Sequence, residues 1–257
     1  VELHYPVPAR GMRNFFLGDN AVVDDEACIT GELYRHMARV LRLKAGAAVS
    51  LTDGAGRSFD GVITEVGAKS LTVKVSAPEA AAESSGYPAI TLYQGLPKGE
   101  KFDLILQKCT ELGVAEVVAF QAARSVVKLK EDRSAGRLER CERIVQEAAR
   151  QSGRKTIPKV SFAGALGPTL RGNSHSVKLL LWEGERVNGL RQALAGMPAP
   201  ESIAVIVGPE GGLTDEEVRQ AQQEGFIPVS LGSRILRTET AGLAIVSILQ
   251  FHWGDIG

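Results

Sequence analysis

The sequence predicts two parts of different class: an α+β N-terminal unit dominated by short strands, and a C-terminal α/β unit with a mostly parallel sheet. Three observations predict it. Short β-branched runs separated by glycine turns fill residues 1–76. A small, polar, unperiodic stretch follows at 77–88, Ala-Pro-Glu-Ala-Ala-Ala-Glu-Ser-Ser-Gly-Tyr-Pro. From Ala89 short apolar strands alternate with helices, the pattern of a parallel sheet covered on both faces.

In the first part, Ala47–Thr52, Ser58–Val66 and Ser70–Val75 read as strands, separated by Asp53-Gly54-Ala55-Gly56 and Gly67-Ala68-Lys69. This spacing suggests a small meander or barrel. A helical segment, about Gly31–Leu41, interrupts it before Leu43-Lys44-Ala45-Gly46. Residues 77–88 read as a linker, so the expected domains are 1–76 and 89–257. In the second part, strands are expected at Ile90–Gln94, Glu116–Phe120, Lys178–Trp182, Ser202–Val207 and Pro228–Leu231. Helices are expected at about Lys101–Leu112, Ser134–Ser152, Val187–Ala195, Thr214–Glu224 and Glu239–Phe251. In the 134–152 helix, Leu138, Cys141, Val145 and Ala148 share one face, and Arg137, Arg140, Arg143 and Arg150 lie on others. No internal repeat points to a solenoid.

Bulk properties narrow the class. The chain has 257 residues, 44% hydrophobic and 23% charged, with a formal net charge of zero. It can bury a core without staples, and no global charge draws it to polyanions; binding to one would rest on local patches. Residues 98–155 carry 13 Lys/Arg against 9 Asp/Glu, and residues 1–76 carry 9 of each, so any basic surface is modest. Cys28, Cys109 and Cys141 are odd in number and far apart, as expected of reduced thiols in a cytoplasmic protein. No apolar run is long enough for a membrane span and no secretory signal is visible.

The chemistry concentrates near the end of the chain. Ser202–Val207 is a buried-strand pattern, followed at once by Gly208-Pro209-Glu210-Gly211-Gly212 and then a helix start. Thr214 and Glu217 have capping-box spacing, with Asp215 and Glu216 in the first turn. Ligands bind at such carboxyl-terminal strand ends. The loop matches neither G-x-G-x-x-G nor the P-loop, and its carboxylates disfavour a polyphosphate. A small neutral or cationic ligand held by backbone groups fits; so does a tight turn that needs glycine only for its dihedrals.

A second loop follows the strand Pro228–Leu231: Gly232-Ser233-Arg234-Ile235-Leu236-Arg237-Thr238-Glu239-Thr240-Ala241-Gly242. A helix N-cap at Thr238 explains only its end. The two loops together resemble the SPOUT methyltransferases and, more narrowly, the bacterial family that methylates N3 of a uridine in 16S ribosomal RNA. The resemblance extends to Arg13-Asn14-Phe15-Phe16, His36-Met37-Ala38-Arg39-Val40-Leu41-Arg42, Leu96-Pro97-Lys98-Gly99-Glu100-Lys101, Gln107-Lys108-Cys109-Thr110-Glu111-Leu112-Gly113 and Glu147-Ala148-Ala149-Arg150-Gln151-Ser152.

That resemblance implies a PUA-like N-terminal β-barrel and a C-terminal SPOUT domain closed by a trefoil knot. The knot comes from the resemblance alone, since chains almost never thread loops. It implies S-adenosylmethionine as cofactor, held by Leu181, Trp182, Glu183, Val207, Gly208, Pro209, Gly211, Gly212, Leu231, Gly232, Ile235, Leu236, Thr240 and Ala241. It implies a homodimer, and the last helix, apolar on nearly all sides, fits this or burial within the monomer. The implied partner is 16S rRNA in the small ribosomal subunit or its precursor, with no metal and no membrane.

For chemistry at uridine N3, Arg237 is the candidate that orients the base or phosphate and stabilises negative charge. Glu239 is the candidate proton acceptor or support of Arg237, with a structural Arg–Glu pair as the alternative. Arg10, Arg13, Phe15, His36, Arg39, Arg42, Lys98 and Lys101 are the candidate RNA contacts. Phe15 or Phe16 could instead be core, and His36 could contact phosphate or pack a helix.

Overall fold

A computed structural model describes residues 13–18, 20, 22–53, 57–77, 86–126 and 134–257. Arg10 and most of the expected linker lie outside them. The chain divides into two compact units, Val1–Ser84 with Arg150–Thr156, and Ser85–Ala149 with Ile157–Gly257.

Among the described residues, the first unit is a six-stranded sheet. Its strands are β1 (Asn14–Phe16), β2 (Val22–Val23), β3 (Glu26–Ile29), β4 (Ala48–Thr52), β5 (Ser58–Val66) and β6 (Leu71–Val75), in the order β1-β4-β5-β6-β3-β2. Side-chain alternation decides which residues are inside: Leu71, Val73 and Val75 of β6 are buried while Lys74 is exposed. Opposite them lie Ala27 and Ile29 of β3 and Ile63 of β5, in one apolar cluster. The expected helix splits into α1 (Gly31–Tyr34) and a wider π-turn at Arg35–Val40. It is pinned by the Tyr34 hydroxyl, 2.8 Å from the carbonyl oxygens of Gly67 and Ala68. β1, β2 and β3 were not expected; each has too few residues to show a period.

The second unit holds β7 (Ala89–Gly95), β8 (Glu116–Gln121), β9 (Lys159–Ala165), β10 (Val177–Leu181), β11 (Ser202–Val207) and β12 (Ile227–Val229). Every pairing in this sheet is parallel, in the order β12-β10-β11-β7-β8-β9. Helices cover both faces, which is why these strands read as continuous apolar runs. On one face Leu92, Leu179 and Val205 pack with α2 (Lys101–Glu111), α3 (Ser134–Ser152), α5 (Leu190–Leu194) and α7 (Thr238–Trp253). On the other, Tyr93, Leu180 and Ile206 pack with α4 (Leu166–Leu170) and α6 (Asp215–Gln223).

β9 and α4 escaped the sequence reading. β9 is a half-exposed edge strand without an apolar run, and α4 is five residues long and contains Gly167 and Pro168. α5 is shorter than expected. It begins at Leu190 because the N–H groups of Val187 and Asn188 donate to Glu185 Oε1, at 2.7 and 2.8 Å, and hold a turn instead. No helix among the described residues is long and apolar enough to cross a membrane.

Candidate active site

Three neighbouring strands end on one side of the sheet, at Leu181, Val207 and Val229. The loops that follow them line a cavity of about 1020 Å³. Ligand sites form at such carboxyl ends because the loops diverge there and leave backbone groups unpaired.

The loop after β11 is fixed from below and behind. A side chain at Gly95 would bring its Cβ 2.5 Å from Pro209 Cδ and 2.6 Å from the Pro209 nitrogen, so the end of β7 must be bare for the loop to lie on it. Gly212 turns the chain at φ +68°, and its N–H donates to Pro209 O at 2.9 Å. The capping box forms as its spacing predicts: Glu217 N–H donates to Thr214 Oγ1 at 3.2 Å, and Thr214 N–H to Glu217 Oε2 at 2.8 Å. The other Glu217 oxygen accepts from Ala123 N–H at 2.8 Å.

The loop after β10 is tied to the loop after β12. Asn188 Nδ2 donates to Pro228 O at 2.9 Å, and Ser230 N–H donates to Asn188 O at 3.0 Å. Backbone donors, chiefly Asn188 and Val187, hold the Glu185 carboxyl below its ordinary range. Gly184 lies under the Trp182 indole, where a Cβ would sit 2.5 Å from the ring.

The loop after β12 is anchored where it enters α7. Thr238 Oγ1 donates to Gly208 O at 2.6 Å, and the fully buried Gln94 donates through Nε2 to Thr238 Oγ1 at 2.9 Å. One amide thus joins the end of β7 to both glycine loops; its Oε1 is buried without a hydrogen-bond partner. Lys101 links the loops by charge, with Nζ 2.8 Å from Glu210 Oε1 and 3.7 Å from Glu239 Oε2. Its hydrogen bond to Glu210 raises the Lys101 pKa above the ordinary value. Burial opposes ionisation of Glu210, but Lys101 and the Glu210 and Lys98 backbone N–H groups outweigh it and hold its pKa low.

Of the residues expected to hold a cofactor, Leu181, Trp182, Glu183, Val207, Gly208, Pro209, Gly212, Leu231, Gly232, Ile235, Leu236 and Ala241 line the cavity, and so does Arg237. Gly211, Thr240 and Glu239 do not. Gly211 backs onto Arg124, whose Nη1 donates to its carbonyl at 3.4 Å, and Thr240 is exposed on the first turn of α7. Glu239 buries one oxygen without a hydrogen-bond partner, and that oxygen pairs in charge with Lys101.

The RNA candidates scatter. Phe15 is 1% exposed in the core of the first unit, which corrects its expected role as a stacking platform. Its ring meets His36 edge-on at 6.3 Å, and His36 Nε2 lies 3.0 Å from Arg150 Nη1. Arg13 is exposed beside a smaller cavity of about 300 Å³ that Asn14, Arg150 and Gln151 also line. Arg39, Arg42 and Lys98 are exposed. Lys101 belongs to the large cavity instead, because Glu210 holds its ammonium there.

Sequence reasoning missed Gln94, Arg186, Val187 and Ser230. Gln94 had a signal, an amide at the end of an apolar strand; Val187 lay in an expected helix, Ser230 in an expected strand, and Arg186 just before that helix.

Comparison with known proteins agrees with this arrangement. Residues 85–250 match the RNA methyltransferase domain model, and residues 29–76 match the RNA methyltransferase PUA domain model. The chain is 32% identical to ribosomal RNA small subunit methyltransferase E of Bacillus subtilis, over 87% of this chain and 89% of that one. It is 34% identical to the Synechocystis protein of the same name, over 93% and 79%. The solved structure of ribosomal RNA small subunit methyltransferase E from Neisseria gonorrhoeae, bound to S-adenosyl methionine, superposes with a TM-score of 0.81. It is 32% identical and covers 96% of this chain and 100% of that one. A Legionella pneumophila methyltransferase solved in complex with its cofactor SAM gives the same TM-score at 31% identity, over 95% and 99%. The first unit is therefore PUA-like, the second carries a parallel-sheet methyltransferase fold, and the chain belongs to the RNA methyltransferase family that includes the ribosomal RNA small subunit methyltransferases E.

Proposed function

We propose that this protein transfers a methyl group from S-adenosylmethionine to N3 of a specific uridine in 16S rRNA of the small ribosomal subunit or its precursor. The observation that carries the reading is the cavity formed by the two glycine loops, in a fold matched along nearly its whole length by a relative bound to S-adenosyl methionine. The donor set fits that cofactor. Gly208, Gly212 and Gly232 leave backbone approachable, Trp182 and Leu231 give apolar wall, and the Glu183 carboxylate against Gly212 suits a cation better than a phosphate.

When bound, the cofactor supplies an electrophilic methyl on a sulfonium. The chain's own residues must bring the uridine into line and manage its charge. With the cofactor held there, N3 would take the methyl carbon, the methyl–sulfur electrons would stay on sulfur, and the imide proton would pass to solvent water. Arg237 lines the cavity, which supports giving it the negative charge that this loss creates. Glu239 supports the site through Lys101 rather than from the cavity wall.

The same reading includes a SPOUT-type knot at Leu231–Thr240, domains at 1–76 and 89–257, and a cytoplasmic homodimer. The exposed Leu104, Ile248 and Phe251, on the mutually packed α2 and α7, support a dimer face. RNA contact falls to Arg13, Arg39, Arg42 and Lys98. The test is incubation with labelled S-adenosylmethionine and small subunits that lack the modification, followed by mapping of the product. Label at a 16S uridine N3 is expected; label on another RNA or another atom sinks the specific claim.

A further inference from the structure

Folding leaves two apolar side chains in water at the mouth of the large cavity. Val187 is 88% exposed and Ile235 is 81% exposed, and both line the opening. Isolated exposed apolar residues are ordinary. These two come from different loops, after β10 and after β12, and border one cavity. Val187 is also held where it is: Glu185 Oε1 accepts its N–H and that of Asn188, and Asn188 is tied to Pro228 and Ser230.

The charges at the same mouth point to an anion. Arg186, Arg234 and Arg237 line it. The carboxylates there are engaged elsewhere: Glu185 with backbone N–H groups, and Glu210 with Lys101. Glu183 faces Gly212. Small-molecule sites span about 300–1,000 Å³, and a cavity of about 1020 Å³ is at the top of that range. Two exposed apolar side chains and three arginines on the lining of one cavity suit a single unstacked base between flanking phosphates. The base loses water against the apolar surfaces, and the phosphates meet Arg. A protein partner would need a contiguous apolar patch of several hundred Å², which two side chains among arginines do not supply.

We infer that Val187 and Ile235 form an apolar clamp for the base of the target nucleotide, with Arg186 and Arg234 on the phosphates of the flanking single strand; Ile235, which the resemblance gave to the cofactor, is reassigned because its side chain stands 81% exposed. The inference rests on reading the cavity as a methyl-transfer site. Both residues are exposed, so the variants Val187→Ser, Ile235→Ser and the pair together are expected to melt with the wild type. Three measurements decide the matter: equilibrium binding to small subunits lacking the modification, methyl transfer to them, and calorimetry with S-adenosylmethionine alone.

The paired variant is expected to bind subunits at least about tenfold more weakly and to show a higher KM, with cofactor affinity within about twofold of wild type. Arg186→Ala and Arg234→Ala are each expected to flatten the salt dependence of subunit binding. Unchanged subunit binding in the paired variant overturns the clamp. So does an equal loss of cofactor affinity, which would make these residues cofactor wall, or a change in sedimentation of the free protein, which would make them a contact between copies. If wild type binds subunits without transferring methyl, the catalytic reading fails while the binding comparison still decides the clamp.

Discussion

The two glycine loops border the same cavity, yet they are built in opposite ways. The 208–214 loop is specified residue by residue: bare Gly95 beneath Pro209, Glu210 held by Lys101, a left-handed Gly212, and a capping box at Thr214. The 231–237 loop is fixed at its ends, through Ser230 and Thr238, while Ser233, Arg234 and Ile235 between them are exposed. The difference teaches a division of labour. The first loop is a preformed shelf; the second is a strap whose position is set by its anchors and whose free side chains are left for ligand.

The most forceful way to break this comparison is at the shelf. Gly95→Val would drive a side chain into the backbone of Pro209, which cannot rotate away. Overpacking of this kind costs about 1–3 kcal/mol, and the shelf must lift. Calorimetry is expected to show cofactor affinity reduced by about a hundredfold or more, with a lower urea midpoint. A variant that keeps wild-type affinity would show that the shelf is not the binding surface.

The strap is sharpened by its free side chain. Arg237 is exposed and lines the cavity, so Arg237→Ala should leave stability unchanged. Removing a donor aimed at developing charge costs about 10²–10³-fold in turnover. The expected outcome is a fall in kcat toward that size with cofactor affinity within about threefold. Equal losses in both would make Arg237 a cofactor ligand.

Thr238→Val tests whether the anchor sets the strap. It removes the donor to Gly208 O and leaves Gln94 Nε2 facing a methyl group. Unsatisfied buried groups of this kind cost about 1–3 kcal/mol. Cofactor affinity is expected to fall about tenfold and to return in Thr238→Ser, which keeps the hydroxyl. If Ser does not restore it, the methyl packing of Thr238 matters and the relay does not.

The same division explains what could be read in the sequence. Ser58–Val66, Ser202–Val207 and 134–152 carry their bounds in local pattern, and the Thr214–Glu217 cap is a local interaction, so they were legible. Glycine spacing marked the shelf, and the family resemblance marked the strap. Gln94 reaches Thr238 across 144 positions, and Phe15 is decided by core packing; no window of sequence contains either fact. The helix expected from Val187 starts only at Leu190, because the Glu185 side chain two residues earlier takes the Val187 N–H.

The smallest effect is expected from the charge that joins shelf to strap. Lys101→Met removes the partner of Glu210 and Glu239 while keeping most of the apolar stem. Both Lys101 and Glu210 are about a third exposed, so solvent screens the pair and it contributes little. The Glu210 pKa is depressed from 4.5, so its contribution is complete above that value and is lost as pH falls through the lowered one. The Lys101 pKa is raised from 10.5, so its contribution is complete below that value and is lost as pH rises through the raised one. Between about pH 5 and pH 10 the difference in cofactor affinity between wild type and Lys101→Met should therefore be flat, below about threefold, and smaller still in high salt. A difference that varies within that window would mean that another titrating group governs the approach of the two loops.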